Sequence, residues 1–291
     1  MILVIGRNGQ LAQAFQTVLL SFKSSYGSAQ YLGRDELQSI DGEIFSRLKR
    51  LQPSLIINTA AYTAVDKAET DRDACFLLNV TLPKILAEYC AQASTPLVHY
   101  STDYVYAGVG TTPHVESDPT APLNYYGETK LRGEMEINSS GSKFLIFRTS
   151  WVFSSVGVNF VKSMLRLGAE KDTLSIVSDQ WGAPTFADDL ALATLQILEK
   201  QKNSWRSGIY HLANAGETNW YHFAEKIFAN ATNQQALKIK LLKPIPSSEF
   251  PTPARRPVNS RLSMAKVARD FGIQMRPWDV ALMQMLFDQR I

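Results

Sequence analysis

The chain opens with an apolar run, Met1-Ile2-Leu3-Val4-Ile5, which breaks at once into Gly6-Arg7-Asn8-Gly9-Gln10-Leu11-Ala12. A buried strand that ends in glycines and feeds an amphipathic helix is compatible with few folds. Glycines let the backbone approach a pyrophosphate, and the free N–H groups at the helix start favour its negative charge. Gly-x-x-Gly-x-x-Ala alone also describes an ordinary structural turn. Its position directly after a first strand favours a dinucleotide site at Gly6, Arg7, Asn8 and Gly9.

Further strand patterns fall at Ala29 to Leu32, Ser54 to Asn58 and Pro96 to Tyr100, with helical patterns between them. This alternation predicts an α/β protein with a Rossmann-type, doubly wound parallel sheet. Ligands of such sheets sit at the carboxyl ends of the strands. There the chain places Gly6 to Gly9, then Arg34, then Ala60-Ala61-Tyr62-Thr63, then Ser101-Thr102-Asp103. An acid after the second strand suits the ribose 2′-hydroxyl of NAD, whereas an arginine suits the 2′-phosphate of NADP. Arg34 and Arg7 therefore point to NADPH, while Asp35 leaves NADH open.

Tyr126 and Lys130 lie four residues apart, on one face of a predicted helix. A free phenol, with a pKa of about 10, is a poor acid at neutral pH. A cation about 4 Å away contributes about 1 kcal/mol in water but about 4 kcal/mol at an effective dielectric near 20. In a dry pocket Lys130 is thus expected to lower the Tyr126 pKa, so that Tyr126 can protonate a nascent alkoxide. Thr102 would hydrogen-bond the same oxygen. Tyr-x-x-x-Lys on its own also fits a solvated helical face; its company points to carbonyl reduction.

Beyond residue 150 the pattern is less regular. Phe144 to Phe147 reads as a fifth strand, Val158 to Leu167 as a helix and Leu174 to Val177 as a strand; Thr185 reads as a helix N-cap, with Asp188 and Asp189 in the first turn. Ile209 to Leu212 reads as a strand returning to the sheet. Residues 1–150 are expected to form the NADP(H)-binding domain, its sheet completed by parts of 172–212. Residues 151–291 should form mainly a smaller, interleaved substrate lobe. A proline-rich loop, Pro244 to Pro257, leads to Arg261, whose planar fork suits a diphosphate as well as it suits a brace between lobes.

At 291 residues and net charge +3, without a dense basic run, the chain does not read as a nucleic-acid binder. No run of eighteen apolar residues and no charged leader ahead of the first strand are visible, so no membrane contact and a cytoplasmic location are expected. Cys75 and Cys90 read as small buried groups rather than a disulfide or metal pair.

These residues carry a resemblance that runs nearly end to end. GRNGQLA at 6–12, NTAAYTAVDKAE at 58–69, HYSTDYVYAG at 99–108, PLNYYGETKLRGE at 122–134 and FRTSWVF at 147–153 resemble the dTDP-4-dehydrorhamnose reductase family. SDQWGAPT at 178–185, YHLANAGETNWYHFA at 210–224 and PTPARRPVNSRL at 251–262 extend the match. That family belongs to the extended short-chain dehydrogenase/reductase superfamily. The resemblance implies reduction of the 4-keto group of dTDP-6-deoxy-L-lyxo-4-hexulose to dTDP-L-rhamnose. It makes Tyr126 the proton donor, Lys130 its modulator and a cofactor ribose contact, and Thr102 the hydroxyl on the carbonyl oxygen. Gly9, Gln10 and Leu11 would touch the pyrophosphate, Ala61, Tyr62 and Thr63 would flank the ribose, and Asp103 and Trp151 would border the sugar.

Ala12 replaces the third glycine, and Tyr125 sits where an aliphatic residue is commoner, giving two adjacent tyrosines. Some members form a metal-bridged homodimer through an acid early in the first helix; Gln13-Ala14-Phe15-Gln16 has none, so no metal site is expected. A nucleotide-sugar epimerase with tightly held cofactor, or a non-catalytic subunit of a methionine adenosyltransferase, stay open as alternatives. The Asp-Tyr pair at 103–104 disfavours a dehydratase, which typically needs Asp-Glu there.

Overall fold

The computed structural model describes residues 1–36, 43–231 and 237–288. Six strands form the main sheet: β1 (Ile2–Ile5), β2 (Ala29–Leu32), β3 (Leu55–Asn58), β4 (Leu97–Thr102), β5 (Phe144–Thr149) and β6 (Gly208–His211). Their order is β6-β5-β4-β3-β1-β2, and every pairing is parallel. β1, β3, β4 and β5 are buried along their whole length, as expected of strands covered by helices on both faces. The chain winds one way from β1 to β2 and the other way from β1 to β6, so the ends of β1 and β3 flank the switch point where ligands bind. The fold expected from strand and helix alternation is thus the one found.

Helices α1 (Gln10–Ser21), α2 (Glu43–Leu51), α3 (Arg72–Ala93), α4 (Tyr125–Ser139), α5 (Phe160–Glu170), α6 (Ala187–Gln201), α7 (Trp220–Ala231), α8 (Ala265–Phe271) and α9 (Trp278–Asp288) complete the frame. Ala12 and Phe15 of α1 and Leu190, Ala191 and Leu198 of α6 pack on one sheet face with Val4, Ile57, Val98 and Phe147. Leu48 of α2, Leu82, Leu86 and Cys90 of α3 and Ile137 of α4 cover the other with Leu3, Ile5, Ile56 and Leu97. Each such aliphatic side chain contributes about 1.5–3 kcal/mol when fully buried. By length and composition alone α3 could cross a membrane; here its apolar face lies on the sheet.

A third cluster, built from Phe153, Met164, Phe186, Phe223, Ile227 and Leu282, forms the core of a second lobe. There Thr173–Val177 pairs with Leu241–Ile245 in a separate two-stranded sheet, so within 172–212 the strand that joins the main sheet is β6. Thr185 does not cap a helix: it pairs with Val152 in a short strand, and Phe186 holds the cap position of α6. The Phe186 N–H donates to Asn214 Oδ1 at 2.7 Å, which supplies the cap from another segment. Asp188 and Asp189 do occupy the first turn.

Candidate active site

β4 ends at Thr102, whose Oγ1 accepts the Tyr104 N–H at 3.2 Å and starts a tight turn over Asp103–Val105. Opposite it, α4 begins at the cap Asn124, which accepts the Gly127 N–H at 2.8 Å and donates to the Arg255 carbonyl at 2.8 Å. A Cβ on Gly127 would stand 2.3 Å from the Tyr104 carbonyl, so only glycine lets the helix start press against the turn after β4. That approach sets the Tyr126 phenol beside the Thr102 hydroxyl. Thr102 Oγ1 in turn donates to Asp103 Oδ1 at 2.9 Å. Tyr125 faces away, its ring under the Arg72 guanidinium at 4.5 Å, which separates the two tyrosines by direction.

Lys130 lies where i+4 spacing puts it, but it does not meet the phenol. Its side-chain nitrogen is buried, donates to the Tyr100 carbonyl at 2.6 Å and stands 3.2 Å from His99 Nε2. The expected lowering of the Tyr126 pKa is therefore corrected. Burial pushes the phenol up from 10.0, Asp103 adds to the rise, and only the Thr102 hydroxyl opposes it. The physical reason is competition: the backbone carbonyl of β4 holds the amine, so desolvation of the phenol goes uncompensated. Burial also pushes Lys130 down to about 8, against the opposing influence of Glu134. Asp103 is raised by burial to about 6, with Ser260 and Thr102 pulling the other way.

The turn after β1 is built differently. Gly6 has φ +107°, and a Cβ there would stand 2.8 Å from Thr59 Oγ1 and 2.9 Å from the Ala60 nitrogen. Gly9 is the N-cap of α1, with no side-chain cap and no acid in the first turn, so the first N–H groups face outward for an anion. Asn8 and Gly9 are exposed, and Leu11 is partly buried behind them. The Gln10 side chain turns elsewhere, accepting from Ser154 Oγ at 3.0 Å and Asn159 Nδ2 at 2.9 Å, which ties α1 to the second lobe. Arg7 pairs with Asp35 and Glu36, each at 3.1 Å, whereas Arg34 is exposed and makes no ion pair among the described residues. These features fit a dinucleotide: a glycine cradle, an uncapped helix start and an exposed guanidinium at the end of β2.

Ala61, Tyr62 and Thr63 follow β3 at the same rim. Asn79 fixes them, accepting the Tyr62 N–H at 2.9 Å and donating to the Tyr62 carbonyl at 3.1 Å. Asn79 sits in a π-helical turn, Leu77–Thr81, inside α3. Gly133 lets α4 lie directly on that turn, since a Cβ there would be 2.2 Å from the Asn79 carbonyl. Sequence reasoning missed this clamp, because no residue pattern announces a π turn.

Beyond β5 Trp151 adopts φ +48°, an uncommon conformation for a bulky residue, and stacks on Trp220 at 3.7 Å. That stack borders a cavity of about 500 Å³ whose lining includes Asp66, Met164, Ile176, Trp220, Phe250 and Arg256. Arg256 forks onto Asp66 at 2.7 and 2.9 Å and so joins the loop after β3 to the proline-rich loop. Arg261 is buried, paired with Glu217, bonded to Asn259 Oδ1 at 3.2 Å and laid over Trp181 at 4.9 Å. Its guanidinium thus acts as a brace in this structure. Thr102, Asp103 and Tyr126 come together in one group, with Ser260 beside Asp103.

A family model described as the RmlD substrate binding domain matches residues 1–291. The chain is 40% identical over 291 residues to a dTDP-4-dehydrorhamnose reductase of Shigella flexneri, covering 98% of this chain and 96% of that one. Its fold superposes on the crystal structure of such a reductase from Clostridium acetobutylicum with a TM-score of 0.92 at 33% identity, covering 100% and 99% of the two chains. A Bacillus anthracis reductase solved in complex with NADP matches with a TM-score of 0.88 at 31% identity, covering 99% of this chain and 98% of that one.

Proposed function

The chain belongs to the dTDP-4-dehydrorhamnose reductase family, and from that premise we propose that it reduces the 4-keto group of dTDP-6-deoxy-L-lyxo-4-hexulose to give dTDP-L-rhamnose, using NADPH, with NADH left open. The observation that carries the reading is the Tyr126 phenol set beside the buried Thr102–Asp103 pair at the end of β4. NADPH supplies the hydride when bound. The protein's own residues handle the proton and the orientation.

Tyr126 gives its proton to the C4 oxygen. A phenol held protonated by burial is the form a donor needs, and an alkoxide is a much stronger base than a phenolate, so the transfer runs downhill. Thr102, whose hydroxyl donates to Asp103 in this structure, would turn that proton to the same oxygen and hold it in line. Lys130, released from the Tyr100 carbonyl, would serve the ribose and the phenol. Gly6, Asn8, Gly9, Gln10 and Leu11 would hold the pyrophosphate, Arg7 and Arg34 the 2′-phosphate, and Ala61, Tyr62 and Thr63 the ribose. Asp103 and Trp151 would border the sugar, and Arg261 would reach the diphosphate only by exchanging Glu217. In this division residues 1–150 serve mainly the cofactor and 151–291 mainly the nucleotide-sugar.

The test is NADPH oxidation by the purified protein against dTDP-4-keto-6-deoxyhexoses, run with and without the epimerase that supplies the L-lyxo sugar. Oxidation that requires the epimerase is expected. Tightly bound NAD with no keto-sugar-dependent oxidation would instead mark an epimerase.

A further inference from the structure

The helix-facing side of the sheet carries two buried polar residues that the mechanism above does not use. Side chains alternate along a strand, so Asn58 follows Ile56 and His99 follows Leu97 onto the face covered by α3 and α4. The register of β3 and β4 sets Asn58 directly beside His99. Both are essentially without solvent contact. Asn58 Nδ2 and His99 Nδ1 are 3.0 Å apart, and His99 Nε2 is 3.2 Å from Lys130 Nζ.

The order of donors along this line is fixed at one end. Asn58 Oδ1 takes the Ala60 backbone N–H at 3.1 Å, and a backbone N–H can only donate. The amide NH₂ of Asn58 therefore faces His99, and His99 Nδ1 must be the acceptor. A neutral imidazole that accepts at Nδ1 carries its proton on Nε2. That N–H points at Lys130, which can accept it only through an unprotonated amine. The amine in turn donates to the Tyr100 carbonyl at 2.6 Å.

We propose that Asn58 and His99 are positioning residues for Lys130: Asn58 locks His99 as the Nε2–H tautomer, and this tautomer favours the free base of Lys130, pinned to β4, over its ammonium form. The functional weight given to Lys130 rests on the reductase reading; the tautomer does not. Every group facing the amine is compatible. His99 lies on β4, and burial, the larger cause, holds its imidazole well below 6.5, hence neutral even beside an uncharged Lys130. Glu134, on the same helix as Lys130, is committed to Arg148 of β5 at 2.6 Å. On α3 the titratable neighbour is Cys75, whose thiol burial pushes up and keeps protonated. Lys130 itself is pushed down to about 8, so the free base is the minor form at pH 7 and the major form above 8. Charging the amine then requires it to turn from His99 to an acceptor, which ties its ammonium form to the arrival of ligand hydroxyls.

The experiment is ¹⁵N NMR of the cofactor-free protein. Ring nitrogen shifts should report His99 as the Nε2–H tautomer from pH 6 to 9, and the Lys130 Nζ shift should titrate near 8. Asn58→Asp reverses the line, because a carboxylate accepts from both Ala60 and His99. In that variant His99 should switch to Nδ1–H, and the Lys130 titration should rise by one pH unit or more. A wild-type His99 found as Nδ1–H or as imidazolium at pH 7 would overturn the proposal, as would an unchanged tautomer in Asn58→Asp. The wild-type spectrum needs no variant, so a variant that does not fold leaves the test standing. Neither readout depends on turnover, so an inactive enzyme with the expected tautomer would count against the reductase reading alone.

Discussion

The two ends of the cleft satisfy their polar groups in opposite ways. At the turn after β1, Gly9 caps α1 without a side chain, Asn8 and Gly9 are exposed, and Arg34 stands in solvent. At the ends of β4 and α4, Thr102, Asp103 and Lys130 are buried and already joined to neighbours within the protein. The first region is a set of donors waiting for a ligand's charges. The second is wired before any ligand arrives, and burial sets its pKa values. In the proposed function a dinucleotide would bring its own phosphates to the open end, whereas proton transfer at the closed end would need groups whose protonation water does not control.

Replacing a group at the closed end should act on chemistry, and replacing one at the open end should act on cofactor binding. The largest effect is expected for Tyr126→Phe: kcat should fall by roughly 10² to 10⁴ with NADPH affinity nearly unchanged. A fall in NADPH affinity of the same size would erase the division between the two ends.

Next comes the cost of keeping the closed end dry. Asp103 titrates at about 6 when folded against 3.8 for the free group, so the folded state binds the extra proton. Stability from this group is present below about pH 4 and is lost as pH rises through 6, on the order of 3 kcal/mol. Urea unfolding of wild type and Asp103→Asn at pH 4.5 and 7.5 should therefore show the variant gaining on wild type at the higher pH. A gap between the two proteins that does not change with pH would mean Asp103 is not desolvated.

At the open end, Gly6→Ala forces a Cβ against Thr59 and Ala60 at φ +107°. A loss of about 1–3 kcal/mol of folding stability is expected, together with weakened NADPH binding. Binding at wild-type strength in a folded variant would remove the turn from the cofactor site. The smallest effect belongs to Arg34→Ala. An exposed charge pair is worth about 1 kcal/mol or less, so the KM for NADPH should rise by up to about fivefold while that for NADH stays level. Equal changes for both cofactors would place the 2′-phosphate elsewhere.

The open end was legible in the sequence because its determinants are local. A strand, two glycines and a helix start lie within twelve residues, and Arg34 follows β2 directly. Tyr126 and Lys130 were legible as a pair for the same reason, yet the partner of Lys130 was not. Whether an i+4 amine meets the phenol or a strand carbonyl depends on how deeply α4 sinks onto β4, and Gly127 and Gly133 set that depth through contacts with Tyr104 and Asn79. Asn58, His99 and Asn79 gain their roles from strand register and a π turn, neither of which leaves a pattern in the sequence. Thr185 failed as a cap because Asn214, some thirty positions on, supplies the bond instead.

Net reduction at the closed end is tested most directly by following the hydride. NADPH carrying deuterium at both positions of nicotinamide C4 would be incubated with the enzyme and the epimerised dTDP-4-keto-6-deoxyhexose, and the sugar product examined by NMR and mass spectrometry. One deuterium at C4 of the product sugar per NADPH consumed is expected. Product without deuterium, or turnover that continues without added NADPH, would contradict a reductase.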